Sequence, residues 1–268
     1  MQKKIYLIIA VVFISCATYL GKSDKLINYV DPFIGSGGHG HVFVGANVPF
    51  GGVQVGPTNF NKGWDWSSSY HHTDSIVKGF CHINVSGTGM SDLGELTIMP
   101  ATGKLMTGAG TQNNHMAGYS SLYYKDKEHA SVGYYKVHLE RYDIDVELTA
   151  TERVGLHKYR FPKSDQSRVI IDLGEGSADR PTETYLKKIN DTLFQGHRFS
   201  SGWARDQREY FSLIISKPVD DFILYDRHKK FKGEERKGDY VKGFLEFSTK
   251  SNENIMVKMG ISTVSSKN

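Results

Sequence analysis

The chain has 268 residues, of which 39% are hydrophobic and 23% charged, with a formal net charge of +4. This is an ordinary globular profile, enough for one large domain or two small ones. The positive charge is spread along the chain, and the one basic run, Lys229, Lys230 and Lys232, lies beside Glu234 and Glu235. It reads as a solvated loop and gives nucleic-acid binding no support.

The chain opens "MQKKIYLIIAVVFISC", with two lysines, an apolar run from Ile5 to Ile14, and then Ser15-Cys16. That run is too short to span a bilayer but suits the core of a signal peptide. Phe-Ile-Ser-Cys resembles a bacterial lipoprotein box, in which Cys16 becomes the lipidated first residue; the plainer alternative is secretion with cleavage nearby. Residues 1–21 are therefore expected to be a signal and anchor segment, and residues 22–268 the folded domain. The protein is expected in the periplasm or at the outer surface of a bacterium, touching membrane only through its lipid. With Cys16 modified, Cys81 is the one remaining thiol and no intrachain disulfide can form.

Next comes "IGSGGHGHVFVGANVPFGG", Ile34 to Gly52, in which glycines surround two histidines. Gly35, Gly37 and Gly40 fit the spacing G-x-G-x-x-G, and "LINYV" before them passes for a strand. A dinucleotide fingerprint must open a helix and find an acidic residue about 20 positions later. Here "HVFVGANVPFGG" cannot continue as a helix, and no Asp or Glu falls between Asp31 and Asp65. No Gly-Lys-Ser/Thr follows, so a P-loop is excluded as well. His39 and His41, two apart, would share a face on a strand, as in some metal-binding β-barrels. The carboxylate such a site needs soon after the pair is absent, which favours loop histidines donating hydrogen bonds.

From Tyr134 to Ser262 strand follows strand. Val137 and Leu139, then Ile144, Val146 and Leu148, alternate with polar residues, and "RVIIDLG", "REYFSLIIS", "DFILYD", "YVKGFLEFST" and "NIMVKMGIS" recur between turn residues. The expected fold is all-β, an antiparallel β-sandwich. Asp143, Asp145 and Glu147 read as the wet face of one strand. Trp203, Arg205 and Gln207 alternate along an expected strand with Trp203 in the core. The stretch from Ile27 to Thr107 is looser, with long loops.

Three stretches together carry a family resemblance: "VDPFIGSGGHGHVFVGANVPFGGVQVGP", "GWDWSSSYHHTDSIVKGFCHINVSGTGMSDLGELTIMP" and "GHRFSSGWARDQREYFSLIISKP". In this order they resemble the N-terminal domain of glycoside hydrolase family 92, the exo-acting α-mannosidases, from about Asn28 onward. Ser36 stands where relatives often carry Thr, and Gly52 where Met is common. The resemblance implies a two-domain enzyme: a β-sandwich followed by an (α/α)6 barrel. The barrel supplies the general acid, the base and most ligands of a catalytic Ca2+. It also implies an active site between the domains and hydrolysis with inversion. Such hydrolysis needs two carboxyls roughly 6.5–9.5 Å apart, and calcium takes about six to eight oxygen ligands. No helical region follows "GISTVSSKN" in these residues, so none is assigned as acid, base or metal ligand.

For the sandwich, a glycine-lined loop lets backbone approach a sugar, while imidazoles hydrogen-bond its hydroxyls. The candidate substrate-binding residues are His39, His41, Trp64, Asp65 and Trp66. In an extended chain the two indoles would face one way and Asp65 the other; core packing is the plainer reading of each tryptophan alone. "SGTG", Ser86 to Gly89, reads as a tight turn supporting the site. The leading expectation is the substrate-contacting half of an exported, calcium-dependent α-mannosidase acting on mannose-rich glycans. Its expected partners are those glycans and the (α/α)6 domain. A stand-alone glycan-binding lipoprotein and a His-dependent metal enzyme on a β-barrel are the alternatives.

Overall fold

The computed structural model describes residues 25–177 and 179–267. The signal and anchor segment and Cys16 lie outside the described residues. Two compact units divide the chain after Asp31. In the first, "LINY" is one 3-10 turn, Leu26–Tyr29, not the strand its sequence suggests. The second, from Pro32, is all-β apart from three further short 3-10 turns.

Its two main sheets are antiparallel, one of seven strands and one of nine. In the larger sheet the alternation read from sequence becomes burial. Strands Tyr134–Leu139 and Ile144–Ala150 pair with Val137 opposite Val146, and Ile144–Ala150 pairs in turn with Val154–Phe161. Val137, Leu139, Ile144, Val146 and Leu148 are all buried, because a period of two places every second side chain on one face. The smaller sheet is centred on Ser164–Asp172, flanked by Thr97–Thr102 and Val241–Thr249. Val169, Ile170 and Ile171 are buried in succession there, so both faces of this strand are covered.

Aromatic pairs close the sandwich. Phe161 of the larger sheet meets Phe247 of the smaller at 5.6 Å, and Phe194 meets Phe222 at 5.2 Å. Such pairs hold two sheets in register beyond the area they bury. On the outer face, Asp145 pairs with Arg160 and His138, and Glu147 with Lys158 and Tyr134. Asp143, read as part of that row, stands in the preceding turn at φ 51°.

A polar chain crosses the core as well. Tyr159 donates to His157 Nδ1 at 2.7 Å, His157 Nε2 to His82 Nε2 at 2.9 Å, and His82 Nδ1 to the Leu96 carbonyl at 2.7 Å. A carbonyl can only accept, so this one direction satisfies every member. Both imidazoles are therefore neutral, and burial pushes His82 down to about 4 and His157 well below its ordinary value.

Candidate functional site

The loops between Ile34 and Asp92 meet around one indole. The chain from Gly35 doubles back so that Val42 donates to the Gly35 carbonyl at 3.1 Å. At Gly40 a Cβ would stand 2.0 Å from that same carbonyl, so only glycine allows the turn. The turn carries His39 outward and His41 inward. His41 is held at φ 54° and is 6% exposed, its carbonyl accepting from Gly87 of the "SGTG" turn.

"GWDW" is not extended. Trp64–Trp66 form one 3-10 turn, entered through Gly63 at φ 117°, whose N–H donates to Asn61 Oδ1. A helical turn separates side chains that an extended chain would align, and the two indoles go different ways. Trp64 is 57% exposed. The His41 ring meets it edge-on at 4.2 Å and the His39 ring lies at 5.3 Å. Gly89 lies against its back, where a Cβ would sit 2.5 Å from the indole nitrogen.

Asp65 joins the same group. Its Oδ1 lies 2.6 Å from His39 Nδ1 and 3.9 Å from His41 Nε2. The buried Nε2 of His41 has no hydrogen-bond partner. A buried polar atom left unmatched costs about 1–3 kcal/mol, and this nitrogen faces the Asp65 carboxyl across 3.9 Å.

Trp66 is half-buried in a second cluster. It stacks on His71 at 4.3 Å and donates through Nε1 to Asp74 Oδ2 at 2.9 Å, and Lys62 pairs with Asp74 while lying over the Trp66 ring. Asp74 also accepts from the Ser75 and Ile76 amides. The structure thus brings His39, His41, Trp64 and Asp65 together and places Trp66 behind them. His71, Asp74 and Lys62, which brace the turn, carry no spacing signal in the sequence.

Trp203 differs from its expected place. It stands in the turn before Gln207–Ile215 rather than on a strand, and is 76% exposed. A strand cannot form there because the Gly202 amide turns back to the Ala204 carbonyl and Asp92 holds the Ala204 amide. Trp203 borders a cleft of about 360 Å³ with Val85, Met90 and Leu93, over Asp92 and Gln207. A neighbouring cleft of about 370 Å³ holds Phe50, Arg153 and Glu209, whose carboxyl burial raises to about 7.

Among the described residues no group of three or more His, Cys, Asp or Glu side chains is placed to hold a metal ion. They do not by themselves fit a calcium cage.

A family model described as the glycosyl hydrolase family 92 N-terminal domain matches residues 29–262. A family GH92 α-mannosidase from Bacteroides thetaiotaomicron, solved alone and in complex with mannoimidazole, shares 33% identity over 91% of this chain, with a TM-score of 0.88. An inverting GH92 mannosidase from the same organism shares the fold over 92% of this chain, with a TM-score of 0.76 and 22% identity. An uncharacterized secreted glycosidase from Arthroderma benhamiae is 26% identical over 165 residues, 55% of this chain. The chain spans about a third of the length of those structures and a fifth of the fungal relative.

Proposed function

Since the chain belongs to glycosyl hydrolase family 92 and forms its N-terminal domain, we propose that it is the glycan-contacting half of an exported, calcium-dependent, inverting exo-α-mannosidase acting on mannose-rich glycans. One observation carries the reading: the exposed Trp64 indole is framed by His39, Asp65 and His41, and the buried Nε2 of His41 lacks a partner. An indole face offers a flat apolar surface to the C–H face of a pyranose. A hydroxyl lying between His41 Nε2 and Asp65 would fill the 3.9 Å gap with two hydrogen bonds.

These groups bind and orient a terminal mannoside. The acid, the base and the calcium ligands belong, on this reading, to the helical domain that follows in the full-length enzyme. Calcium would polarise and position the sugar there. Ground-state contacts from one wall bind a sugar without stabilising the transition state selectively. Export and a lipid at Cys16 belong to the same proposal, resting on "KKIYLIIAVVFISC" and on likeness to a relative described as secreted.

The test is calorimetric and NMR titration of the 268-residue chain with methyl α-mannoside. Binding in the mM range, about −4 kcal/mol, is expected, with Trp64 and His41 signals shifting. An aryl α-mannoside with calcium should not be turned over by this chain alone. Equal binding by wild type and Trp64→Ala would remove Trp64 from the site, and turnover surviving repurification would place the chemistry in this half.

A further inference from the structure

Behind the Trp64 turn, one guanidinium serves two carboxylates with no access to water. Arg198 Nη1 lies 2.9 Å from Glu95 Oε1 and 2.5 Å from Asp179 Oδ2, and all three side chains are fully buried. The other oxygens of the pair, Glu95 Oε2 and Asp179 Oδ1, are buried without a partner, as is Arg198 Nη2, while one nitrogen of the guanidinium holds both carboxyls. Two ionised carboxylates held on one nitrogen repel, and each leaves an acceptor unsatisfied. A single proton relieves the repulsion and turns one of these acceptors into a donor.

We propose that Glu95 is a neutral carboxylic acid in the native protein, donating its proton to Asp179 above Arg198, and that this acid–carboxylate pair positions the Trp64 turn. This goes beyond the sugar-binding reading and does not depend on it. Glu95 ends the short strand Leu93–Glu95, and Asp179 stands two positions after the loop Gly174–Ser177. Ser177 of that loop donates its amide to Leu93 and accepts from Asn61, the residue that receives the Gly63 amide at the start of Trp64–Trp66. The pair therefore ties strand Leu193–Ser201, through Arg198, to the backbone beneath the indole.

Besides Arg198, the hydroxyl of Ser200 faces Glu95. Its one hydrogen is shared between Glu95 Oε1 at 2.8 Å and Gln207 Oε1 at 3.1 Å, and Gln207 in turn donates to Asp92. Lys78 is occupied by Glu175 and the Gly176 carbonyl, and Lys242 by Asp172. Burial first, and then Asp179, outweigh the attraction of Arg198 and raise Glu95 to about 8. The native protein thus keeps a proton that the unfolded chain has released. This support for the fold is complete below the ordinary glutamate value of 4.5 and declines as pH rises toward about 8.

Infrared spectroscopy of the 268-residue protein reads the proton directly. Among the described residues Glu209 is the other carboxyl raised to near neutrality, so the measurement uses the Glu209→Gln background. A protonated-carboxyl C=O band is expected at pH 7, fading as pH passes about 8. It should be absent once Glu95→Gln or Asp179→Asn is added. Glu95→Gln, which keeps a donor in place of the acid, should also flatten the fall of Tm between pH 5 and 8.5 and leave Trp64 fluorescence unchanged. Glu95→Ala should shift that fluorescence. No band at pH 7, a band indifferent to Glu95→Gln, or a glutamine variant as unstable as the alanine would each overturn the proposal. Should Glu95→Gln fail to fold, the band in Asp179→Asn decides alone.

Discussion

Two pairs of histidines divide the molecule into its two kinds of region. His82 and His157 lie in the inter-sheet core, hydrogen-bonded end to end with every nitrogen matched. His39 and His41 stand on the loop wall beside an exposed indole, and one buried nitrogen is left open. This chain of the core spends its polar groups on itself. On the proposed reading the wall keeps them for a ligand, which is what separates a structural polar network from a binding surface.

The comparison breaks most easily in the core. Phe211, fully buried on strand Gln207–Ile215, should lose about 3–5 kcal/mol on truncation to alanine. Tyr159→Phe should cost about 1–3 kcal/mol, because it leaves His157 Nδ1 buried without its donor. Chemical denaturation checks both. A loss near zero for Tyr159→Phe would mean that the chain of hydrogen bonds is not what fixes the two imidazoles.

Acid should test the core pair next. The folded value of His82 lies below its ordinary 6.5, so its neutral form is favoured by folding. Its contribution is complete above pH 6.5 and is lost as pH falls toward 4. A displacement of that size corresponds to about 3 kcal/mol, and His157 extends the loss further down. Tm measured from pH 7 to 4 should fall steeply in wild type and less in His157→Gln. An acid limb unchanged in His157→Gln would mean that the buried imidazoles do not carry this pH dependence, and the core would lose its signature.

What the sequence revealed follows the same division. Strands with a period of two announce their buried face, so Val137, Leu139, Ile144, Val146 and Leu148 were readable in advance. The wall was readable only as a list of residue types. Spacing cannot show that Asp65 would reach back to His39 across 26 positions, since loop contacts are set by turns with no period. Extended geometry was the wrong premise for "GWDW", where Gly63 at positive φ starts a 3-10 turn. Trp203 misled for the reverse reason. Alternation with Arg205 and Gln207 imitates a strand, but the Gly202–Ala204 turn and Asp92 prevent one.

Trp64 and Trp66 sharpen the comparison within two residues. Trp66→Ala removes a stacked, hydrogen-bonded indole and should cost about 2 kcal/mol, below the full-burial range because the ring is only half covered. Trp64→Ala should cost under about 1 kcal/mol, as exposed substitutions do, while weakening methyl α-mannoside binding tenfold or more. Paired denaturation and titration decide the point. Equal stability losses would send both indoles to the framework and leave the wall without its platform.

The smallest effect is expected at Trp203. Its indole is 76% exposed, and beneath it Gln207 and the Ala204 amide both donate to Asp92 Oδ2, while Asp92 Oδ1 is buried without a partner. Trp203→Ala should therefore change stability by no more than about 0.5 kcal/mol. Exposed indoles fluoresce to the red of buried ones, and with Trp64 and Trp66 replaced by Phe the remaining emission reports on Trp203 alone. Red emission that acrylamide quenches readily is expected. A blue-shifted, protected signal together with a loss of about 3–5 kcal/mol on truncation would mean that Met90, Val85 and Leu93 close over the ring in solution. Trp203 would then belong with His82 and His157 in the self-satisfied core, and the wall would end at the Ser86–Gly89 turn.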